Sequence, residues 1–343
     1  MSAPIILWYA PGGGLGHATR ALAVLRHLRP RFPDAALLLV VTTPYISSAV
    51  MQGVSVLRLP SGFEWHGGGF ADKAADAARA LLHALGPFDL LVVDTFADGM
   101  WGELTADVLQ LARRRALIFR LGGTDPDRSP AWPLYQRRFA PYPHAPRADT
   151  EALGAILIRR PDEAFSPRQA RSHLGVSEDS EAPVIVALHA GDPGEVASLF
   201  WLVRLAAEQL GRPHHLRLIT PLPVTDGHWP ERAHLFPAAE ILPGADLVIA
   251  AAGYNTHAEL GCFGRRALFC PFGRSHDDQW GRLLPDQIRF ELTIDPQQLA
   301  TLMAQSLDRP TPAPLPADQG NGALRCAQRL ESLLDDQATG VNA

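Results

Sequence analysis

The sequence predicts an α/β protein built from two doubly wound parallel sheets. The chain has 343 residues, which is enough for two domains of ordinary size. Short apolar runs alternate with helical patterns along it, and this alternation stops in a polar, proline-bearing stretch and then starts again. Because repeated strand–helix units form parallel sheets with right-handed crossovers, the interruption predicts a boundary between two such domains.

The first domain is predicted to span 1–160. It opens with a nearly continuous apolar run, as expected of a strand buried on both faces. A glycine cluster follows, and Pro30 ends the next helical pattern. Asp72 is a candidate N-cap for a later helix. The predicted strands are 5–10, 37–42, 54–59, 90–94 and 116–121, and the predicted helices are 18–28, 72–85 and 102–113.

The polar segment 161–182 is the predicted linker, and the second domain is predicted to span 183–320. The last residues, 321–343, are predicted to hold a helix at 324–334 that is placed to pack back on the first domain, followed by a tail. The predicted strands of the second domain are 184–188, 216–220, 247–251 and 267–270, and its predicted helices are 195–210 and 255–263.

The composition excludes several classes of protein. A formal net charge of −5 argues against a nucleic-acid binder, which would carry a basic excess. The three cysteines form no CxxC pair, which disfavours a disulfide framework or a zinc site and fits a reducing cytoplasm. No apolar run reaches the ~18 residues that a membrane-spanning helix needs. We therefore expect a cytoplasmic protein that is at most peripheral to a membrane.

A glycine-rich loop follows the first strand. It contains Gly12, Gly13, Gly14 and Gly16, more glycines than a tight turn needs, so we predict that it faces a ligand at the strand-end crevice. Backbone N–H groups at such a helix N-terminus bind anions. A tight turn without a ligand is the alternative. A dinucleotide fingerprint is disfavoured, because His17 stands where its third glycine would fall and no acidic residue ends the second strand.

His17 and Asp94 are candidate catalytic bases. His17 opens a predicted helix, whose dipole lowers the pKa of the imidazole and keeps it neutral, as a general base near pH 7 requires. A structural histidine and a hydrogen-bond donor to phosphate are the alternatives. Asp94 ends the predicted strand 90–94 and is the second candidate base, with helix capping as its alternative.

The loop after the predicted strand 247–251 carries a second candidate site. Gly253 permits close approach of a ligand, and the N–H groups of Asn255 and Thr256 fall in the first helical turn. Glu259 lies about one turn further on, where a carboxylate can accept from two ribose hydroxyls. The alternatives are plain capping by Asn255 or Thr256 and a solvated helix charge at Glu259.

Asp278 and Gln279 follow the predicted strand 267–270 in a polar loop, where they either hold sugar hydroxyls or begin a helix. Together the G-x-G-H loop, the pattern A-D-L-V-I-x-x-x-G-x-N-T-x-x-E-L-x-x-x-G-x-x-A-L-x-x-P and this D-Q pair resemble the GT-B glycosyltransferases. That fold consists of two Rossmann-like doubly wound domains with a central cleft. The resemblance is closest to family 28, the group that contains MurG, and its specific motifs lie in 12–20 and 245–279.

The resemblance implies that the second domain binds a UDP-like nucleotide sugar, as a substrate and not as a cofactor. It implies that Glu259 contacts the ribose, that Asp278 and Gln279 contact the donor sugar, and that the backbone near Phe236 contacts the base. The residues implied at the phosphates are Gly253, Tyr254, Asn255 and Thr256, the first loop's Gly13, Gly14 and Gly16, and Gly191 and Gly194 of a second glycine loop.

The second glycine loop departs from the family's pattern at Asp192, because a carboxylate beside a diphosphate would repel it. We expect Asp192 to point away or to contact a sugar hydroxyl. The architecture needs no DxD metal motif, so neither a catalytic metal nor a cofactor is predicted.

The acceptor is less determined than the donor. The strand-end loops 63–69 and 122–147 of the first domain are expected to face the cleft. Trp65 and Trp132 lie in them and either stack on a sugar or pack within the fold. The acceptor stays open among small molecules, glycans and lipid-linked molecules.

The sequence therefore predicts an inverting, metal-independent hexosyl transfer with His17 as the first candidate base. One alternative is a nucleotide-sugar hydrolase of the pseudaminic acid pathway type, whose Gly-x-Gly-His-x-x-Arg opening matches 14–20 and in which His17 would activate water. The other is a non-catalytic nucleotide-sugar-binding protein. Turnover of the nucleotide sugar without an acceptor indicates the hydrolase, and binding of the nucleotide sugar without turnover indicates the non-catalytic binding protein.

Overall fold

A computed structural model of the chain describes residues 3–12, 14–43, 53–61, 68–120, 125–142, 147–221, 232–233 and 235–335. The described chain divides into two compact units. The first comprises the residues up to Ile158 together with those from Asn321 onward, and the second runs from Arg159 to Gly320.

The first unit is built on a seven-stranded parallel sheet, in the order β3-β2-β1-β4-β5-β6-β7. Its central strands are apolar and buried, as strands covered by helices on both faces must be. The strands are β1 Ile5–Ala10, β2 Ala36–Val41, β3 Ser55–Arg58, β4 Phe88–Thr95, β5 Ala112–Phe119, β6 Arg137–Pro141 and β7 Glu151–Gly154, and the first three helices are α1 Leu15–Leu28, α2 Phe70–Leu85 and α3 Ala106–Gln110.

The second unit repeats this plan with six parallel strands, in the order β10-β9-β8-β11-β12-β13. The α/β class with two Rossmann-like doubly wound sheets is therefore confirmed. The strands are β8 Val184–Leu188, β9 His215–Ile219, β10 Arg232–Ala233, β11 Leu247–Ala250, β12 Ala267–Phe269 and β13 Ile288–Arg289, and the helices are α4 Pro167–His173, α5 Pro193–Glu208, α6 Tyr254–Phe263 and α7 Pro296–Asp308.

The last helix, α8 (Gly322–Asp335), belongs to the first unit. Its first residue packs against the chain before the second unit, where the Gly322 amide donates to the Ala155 carbonyl at 3.0 Å. A side chain at Gly322 would meet that carbonyl oxygen at 2.6 Å, so only glycine fits there. Further along, Arg31 of α1 pairs with Glu331 at 2.9 Å. The chain thus leaves the first unit once and returns to it.

Several predicted elements differ from the observed ones. The predicted helix 102–113 is too long at both ends, because α3 covers only Ala106–Gln110 and Ala112 already pairs with Phe88, where β5 begins. Part of the predicted loop 122–147 forms β6. Gly69 and not Asp72 is the N-cap of α2. The predicted linker contains α4, whose Arg171 contacts Asp246 at 2.7 Å, so its contacts lie within the second unit.

The strand order locates one crevice in each sheet. In the first sheet the order reverses between β1 and β4, and in the second it reverses between β8 and β11. At such a switch point the connections that follow the two neighbouring strands run over opposite faces of the sheet. A crevice therefore opens at the carboxyl ends of these strands, and ligands bind in such crevices.

Candidate active site

The glycine loop after β1 lies at the first switch point and is anchored to the end of β2. The Gly12 amide donates to the Thr42 hydroxyl at 2.9 Å, and that hydroxyl donates back to the Gly12 carbonyl at 2.6 Å. A side chain at Gly12 would lie 2.1 Å from the His17 ring, so glycine is required here for the ring to approach. Gly14 is the N-cap of α1 and Gly16 lies in its first turn, whereas Gly13 lies outside the described residues.

His17 forms a hydrogen-bonded network with Asp94 and Arg20. His17 Nδ1 lies 2.9 Å from Asp94 Oδ1. Arg20, one turn along α1, donates its Nε and Nη2 to the two oxygens of Asp94 at 3.0 and 2.6 Å. The ring of Phe96 stacks on His17 with centroids 5.8 Å apart. Side chains from α1 and from the end of β4 therefore fix the imidazole at the switch point.

The network sets the tautomer of His17. A carboxylate only accepts hydrogen bonds, so we assign the hydrogen of the neutral ring to Nδ1 and leave Nε2 as the acceptor. Burial lowers the pKa of His17, and the guanidinium groups of Arg20 and Arg120 lower it further, which outweighs the opposing effect of Asp94. The side chain is 14% exposed. A partly accessible, neutral imidazole with a bare Nε2 meets the requirements of a general base.

The structure places Asp94 beneath His17 and away from solvent. Its side chain is fully buried and also accepts from the Thr95 hydroxyl at 2.7 Å. Burial alone would raise the pKa of Asp94, but the Arg20 guanidinium and the His17 hydrogen bond hold it well below its usual range. An inaccessible carboxylate of such low basicity is suited to orient His17 and not to take a proton itself.

Sequence reasoning missed the partners that hold this pair. Thr95 adopts a φ of 74°, a strained conformation for a β-branched residue, and Arg20 donates to its hydroxyl at 3.3 Å. The His17-to-Arg20 spacing of three residues puts both on one helix face, which was the available signal for Arg20. Nothing in the sequence indicates the backbone strain at Thr95.

The N-terminus of α6 lies at the second switch point and is open. Gly253 is its N-cap and makes no side-chain cap. A side chain there would meet nothing within 4 Å, and its φ of −61° suits any residue, so neither packing nor backbone conformation requires a glycine. Tyr254, Asn255 and Thr256 form the first turn, where three amides have no partner within the helix.

Glu259 is buried one turn further along α6. Its residue is 7% exposed, so the alternative of a solvated helix charge is wrong. It has no hydrogen-bond or ion-pair partner within the described part of the chain, and burial raises its pKa to about 8. A buried carboxyl group is costly unless it is paired, which indicates a partner from outside the described residues.

The second glycine loop is filled by the chain's own side chains. Asp192 is the N-cap of α5 and accepts from the Gly194 amide at 2.8 Å. A side chain at Gly191 would collide with His189 and Glu195, within 2.8 Å of each. Gly191 is thus required by internal packing, and the carboxylate of Asp192 caps a helix.

The remaining predicted donor contacts lie near this switch point or on the same sheet. Gln279 is buried and accepts from the Phe272 amide at 3.0 Å, so it fixes the loop after β12. Asp278 is exposed and accepts from the Gly281 amide at 2.8 Å, which closes a turn. Phe236, partly buried, precedes a short 3-10 segment after β10.

The two tryptophans predicted near an acceptor have different outcomes. Trp132 is buried, packs edge-on against Phe119 and donates its indole N–H to Asp149 at 2.6 Å, so it is a packing residue. Trp65 and most of the loop 63–69 lie outside the described residues. Among the helices that the structure describes, none has the length and apolar character needed to cross a membrane.

Solved structures resemble nearly the whole chain. MurG from Acinetobacter baumannii is 15% identical, with a TM-score of 0.58 over 97% of this chain and 99% of that one. The calicheamicin glycosyltransferase CalG4 is 15% identical, with a TM-score of 0.60 over 98% of this chain and 100% of that one. SsfS6, a Streptomyces glycosyltransferase complexed with thymidine diphosphate, is 13% identical, with a TM-score of 0.59 over 97% of this chain and 96% of that one.

No protein-family model matches the chain, and no match was found among curated proteins. At the identities of the solved structures, similarity establishes the fold alone. The two switch-point sheets and these structural neighbours together show that the chain has the GT-B fold.

Proposed function

We propose that the protein is a glycosyltransferase that moves a sugar from a UDP-like nucleotide sugar to an acceptor, with inversion and without a metal. The observation that carries the proposal is the His17–Asp94 pair at the first switch point, which leaves a neutral imidazole with its Nε2 free. GT-B neighbours that are themselves glycosyltransferases support it, as does the thymidine diphosphate in one of them.

In this proposal His17 Nε2 takes the proton of the acceptor hydroxyl as that oxygen attacks the anomeric carbon of the donor. The bond between the anomeric carbon and the diphosphate breaks, and the nucleoside diphosphate leaves with an added negative charge. Asp94 holds the ring and stabilises the imidazolium that forms, as a buried carboxylate does for a catalytic histidine. A single displacement inverts the anomeric configuration.

The second unit supplies the donor site. The open amides at the start of α6 would stabilise the departing diphosphate, whose charge grows in the transition state. Glu259 would accept hydrogen bonds from the ribose hydroxyls, which would give this buried carboxyl its missing partner. Gln279 and Asp278 would reach the donor sugar with the atoms that their internal hydrogen bonds leave free.

A thermal-shift panel of UDP, GDP and dTDP sugars identifies the donor, and an acceptor screen with that donor then tests for transfer. We expect release of the nucleoside diphosphate that depends on an acceptor, and a product of inverted anomeric configuration by NMR. Equal release with and without acceptor would identify a hydrolase, in which His17 activates water. Absence of any thermal shift across the panel would remove the nucleotide-sugar site itself.

A further inference from the structure

Four side chains of the second unit form an ionic and aromatic cluster beside α6. We call it the Arg274 cluster; its members are His189, Glu195, Phe272 and Arg274. Both terminal nitrogens of Arg274 contact the carboxylate of Glu195. His189 Nε2 lies 3.2 Å from the same carboxylate, and the rings of His189 and Phe272 stack in parallel with centroids 4.9 Å apart.

The cluster reaches across the end of β11. His189 follows β8, and Phe272 and Arg274 follow β12, which are the two neighbours of β11 in the sheet. Small residues at 250–252 leave room for side chains from the two flanking strands to meet at this edge. Since β11 leads into α6, the Arg274–Glu195 ion pair crosses the end of the strand that precedes this helix N-terminus.

Charge explains what Arg274 would do there. Glu195 lies in the first turn of α5, and the pKa of its carboxyl is held at about 2 by His189 and Arg274 against the effect of burial, so it is ionised. Asp192 adds a second carboxylate at the same helix end. A diphosphate at α6 would face these two negative charges, which repel it unless a cation lies between them.

A second cation also points to an anionic ligand. Arg282 contacts Asp277, donates to the Ala252 carbonyl at 2.5 Å just before the α6 N-cap, and lies 5.7 Å from the Tyr254 ring. Its side chain is 3% exposed, and its Nε has no hydrogen-bond partner within the described residues. One guanidinium group thus contacts the residue before the α6 N-cap, and that of Arg274 lies across the end of the strand that leads to it.

We propose that Arg274 is the diphosphate-binding residue of the donor site and that Glu195 competes with the diphosphate for it. This rests on the proposed function, in that the ligand is a nucleoside diphosphate. The guanidinium matches the fork geometry of both carboxylate and phosphate, so it can exchange one for the other. While it is held by Glu195, only the released fraction of Arg274 contributes to affinity.

The test uses two substitutions with opposite expected signs. Arg274→Gln should weaken diphosphate binding by about tenfold or more, the range for a hydrogen bond to a charged group. Glu195→Gln should tighten it by about threefold to tenfold, because it releases Arg274 and removes a repelling charge. Arg274→Lys should retain more affinity than Arg274→Gln, since it keeps the charge without the fork.

Binding is measured by calorimetry with UDP, GDP and dTDP, with their nucleosides and with inorganic pyrophosphate, after thermal melts show that each variant is folded. The nucleoside affinities should not change. Arg168→Gln and Glu178→Gln, which alter an exposed ion pair of the same unit, serve as matched controls and should change none of the affinities.

The outcomes separate this inference from the proposed function. If Glu195→Gln and Arg274→Gln both weaken binding, or neither changes it, the cluster is a structural ion pair and the inference is overturned while the function stands. If pyrophosphate binds in an Arg274-dependent way but no nucleotide does, the inference stands and the nucleotide-sugar function fails. If wild-type protein binds neither pyrophosphate nor any nucleotide, both fail.

Discussion

The two switch points have the same strand topology, but the polar side chains at them differ in whether they have hydrogen-bond partners. In the first sheet the crevice between β1 and β4 holds His17, Asp94 and Arg20, which are joined by hydrogen bonds, and the ring Nε2 of His17 has no partner among the described residues. In the second sheet the crevice between β8 and β11 leads to a helix start without a side-chain cap and to Glu259, which has no partner among the described residues. One crevice holds a hydrogen-bonded network, and the other holds a buried carboxyl without such a network.

The comparison shows how one fold supports two tasks. Strand order alone decides where a crevice lies, and both sheets follow the same order. The side chains then decide what the crevice does. A satisfied network fixes a reactive group in one geometry, whereas unsatisfied donors and acceptors produce affinity for a ligand that satisfies them.

The largest effect is expected from the first switch point. His17→Ala should lower kcat by about 10²–10⁴ and leave donor affinity nearly unchanged, because a general base acts in the transition state only. Steady-state kinetics and calorimetry with the donor measure the two quantities. His83→Ala, an exposed histidine of the same unit, is the matched control. A parallel loss of donor affinity would instead make His17 a phosphate anchor.

Asp94→Asn should lower kcat by about 10², because the ring loses its tautomer and its counter-charge. If Asp94 acts only through His17, the double variant should be no slower than His17→Ala. The substitution also leaves Arg20 with a weaker partner, so the melting temperature should fall. An Asp94→Asn variant with wild-type kcat would leave the pair with a structural role alone.

At the second switch point, Glu259→Gln should weaken nucleotide binding by about 1.5–3 kcal/mol, the range for hydrogen bonds to a charged group. It should also make the protein more stable. The pKa of Glu259 in the folded protein, about 8, lies above the ordinary value of 4.5. The free energy of unfolding therefore falls as pH rises from 4.5 to 8, and glutamine, which does not ionise, avoids this loss.

Calorimetry with UDP and thermal melts at pH 5 and pH 8 measure both effects, and the gain in melting temperature should be larger at pH 8. Glu208→Gln on the exposed side of α5 is the control for charge removal. Lower stability at pH 8 together with unchanged affinity would make Glu259 a core residue with no ligand.

A smaller effect is the release of protons on binding. Glu259 is largely protonated at pH 7 in the free protein, and hydrogen bonds from ribose hydroxyls would lower its pKa in the complex. Binding should therefore release a fraction of a proton, and affinity should rise with pH and level off above about 8. Calorimetry in buffers of different ionisation enthalpy measures this, and Glu259→Gln should abolish it. An affinity that falls as pH rises would contradict the sign.

No effect is expected from chelation. In the proposed mechanism the diphosphate is stabilised by helix amides and guanidinium groups, so EDTA should leave the rate of transfer unchanged. A loss of activity that Mg²⁺ or Mn²⁺ restores would show that a metal ion helps to stabilise the diphosphate.

The fold and the strand ends at both switch points could be predicted from the sequence. The strand ends before Gly12 and Gly253 are marked by apolar runs that stop at glycines, and parallel strands bring such ends to one edge. The predicted helix 102–113 exists but is shorter than predicted, because apolar spacing does not show where β5 begins and only pairing with β4 decides it. The strands β6, β7, β10 and β13 were also missed. Three of them, β7, β10 and β13, are short strands at a sheet edge, whose form depends on a single neighbour.

The sequence by itself therefore determined local features. These are the turns, the helix starts, and the candidate site residues His17, Gly253 and Glu259 at or near those helix starts. The tertiary structure alone decided which of these residues have partners. Asp94 lies far along the chain from His17 yet accepts its hydrogen bond, and Arg274 pairs with Glu195 across a strand. Whether a buried polar group is satisfied depends on distances between distant segments of the chain, which sequence spacing does not give.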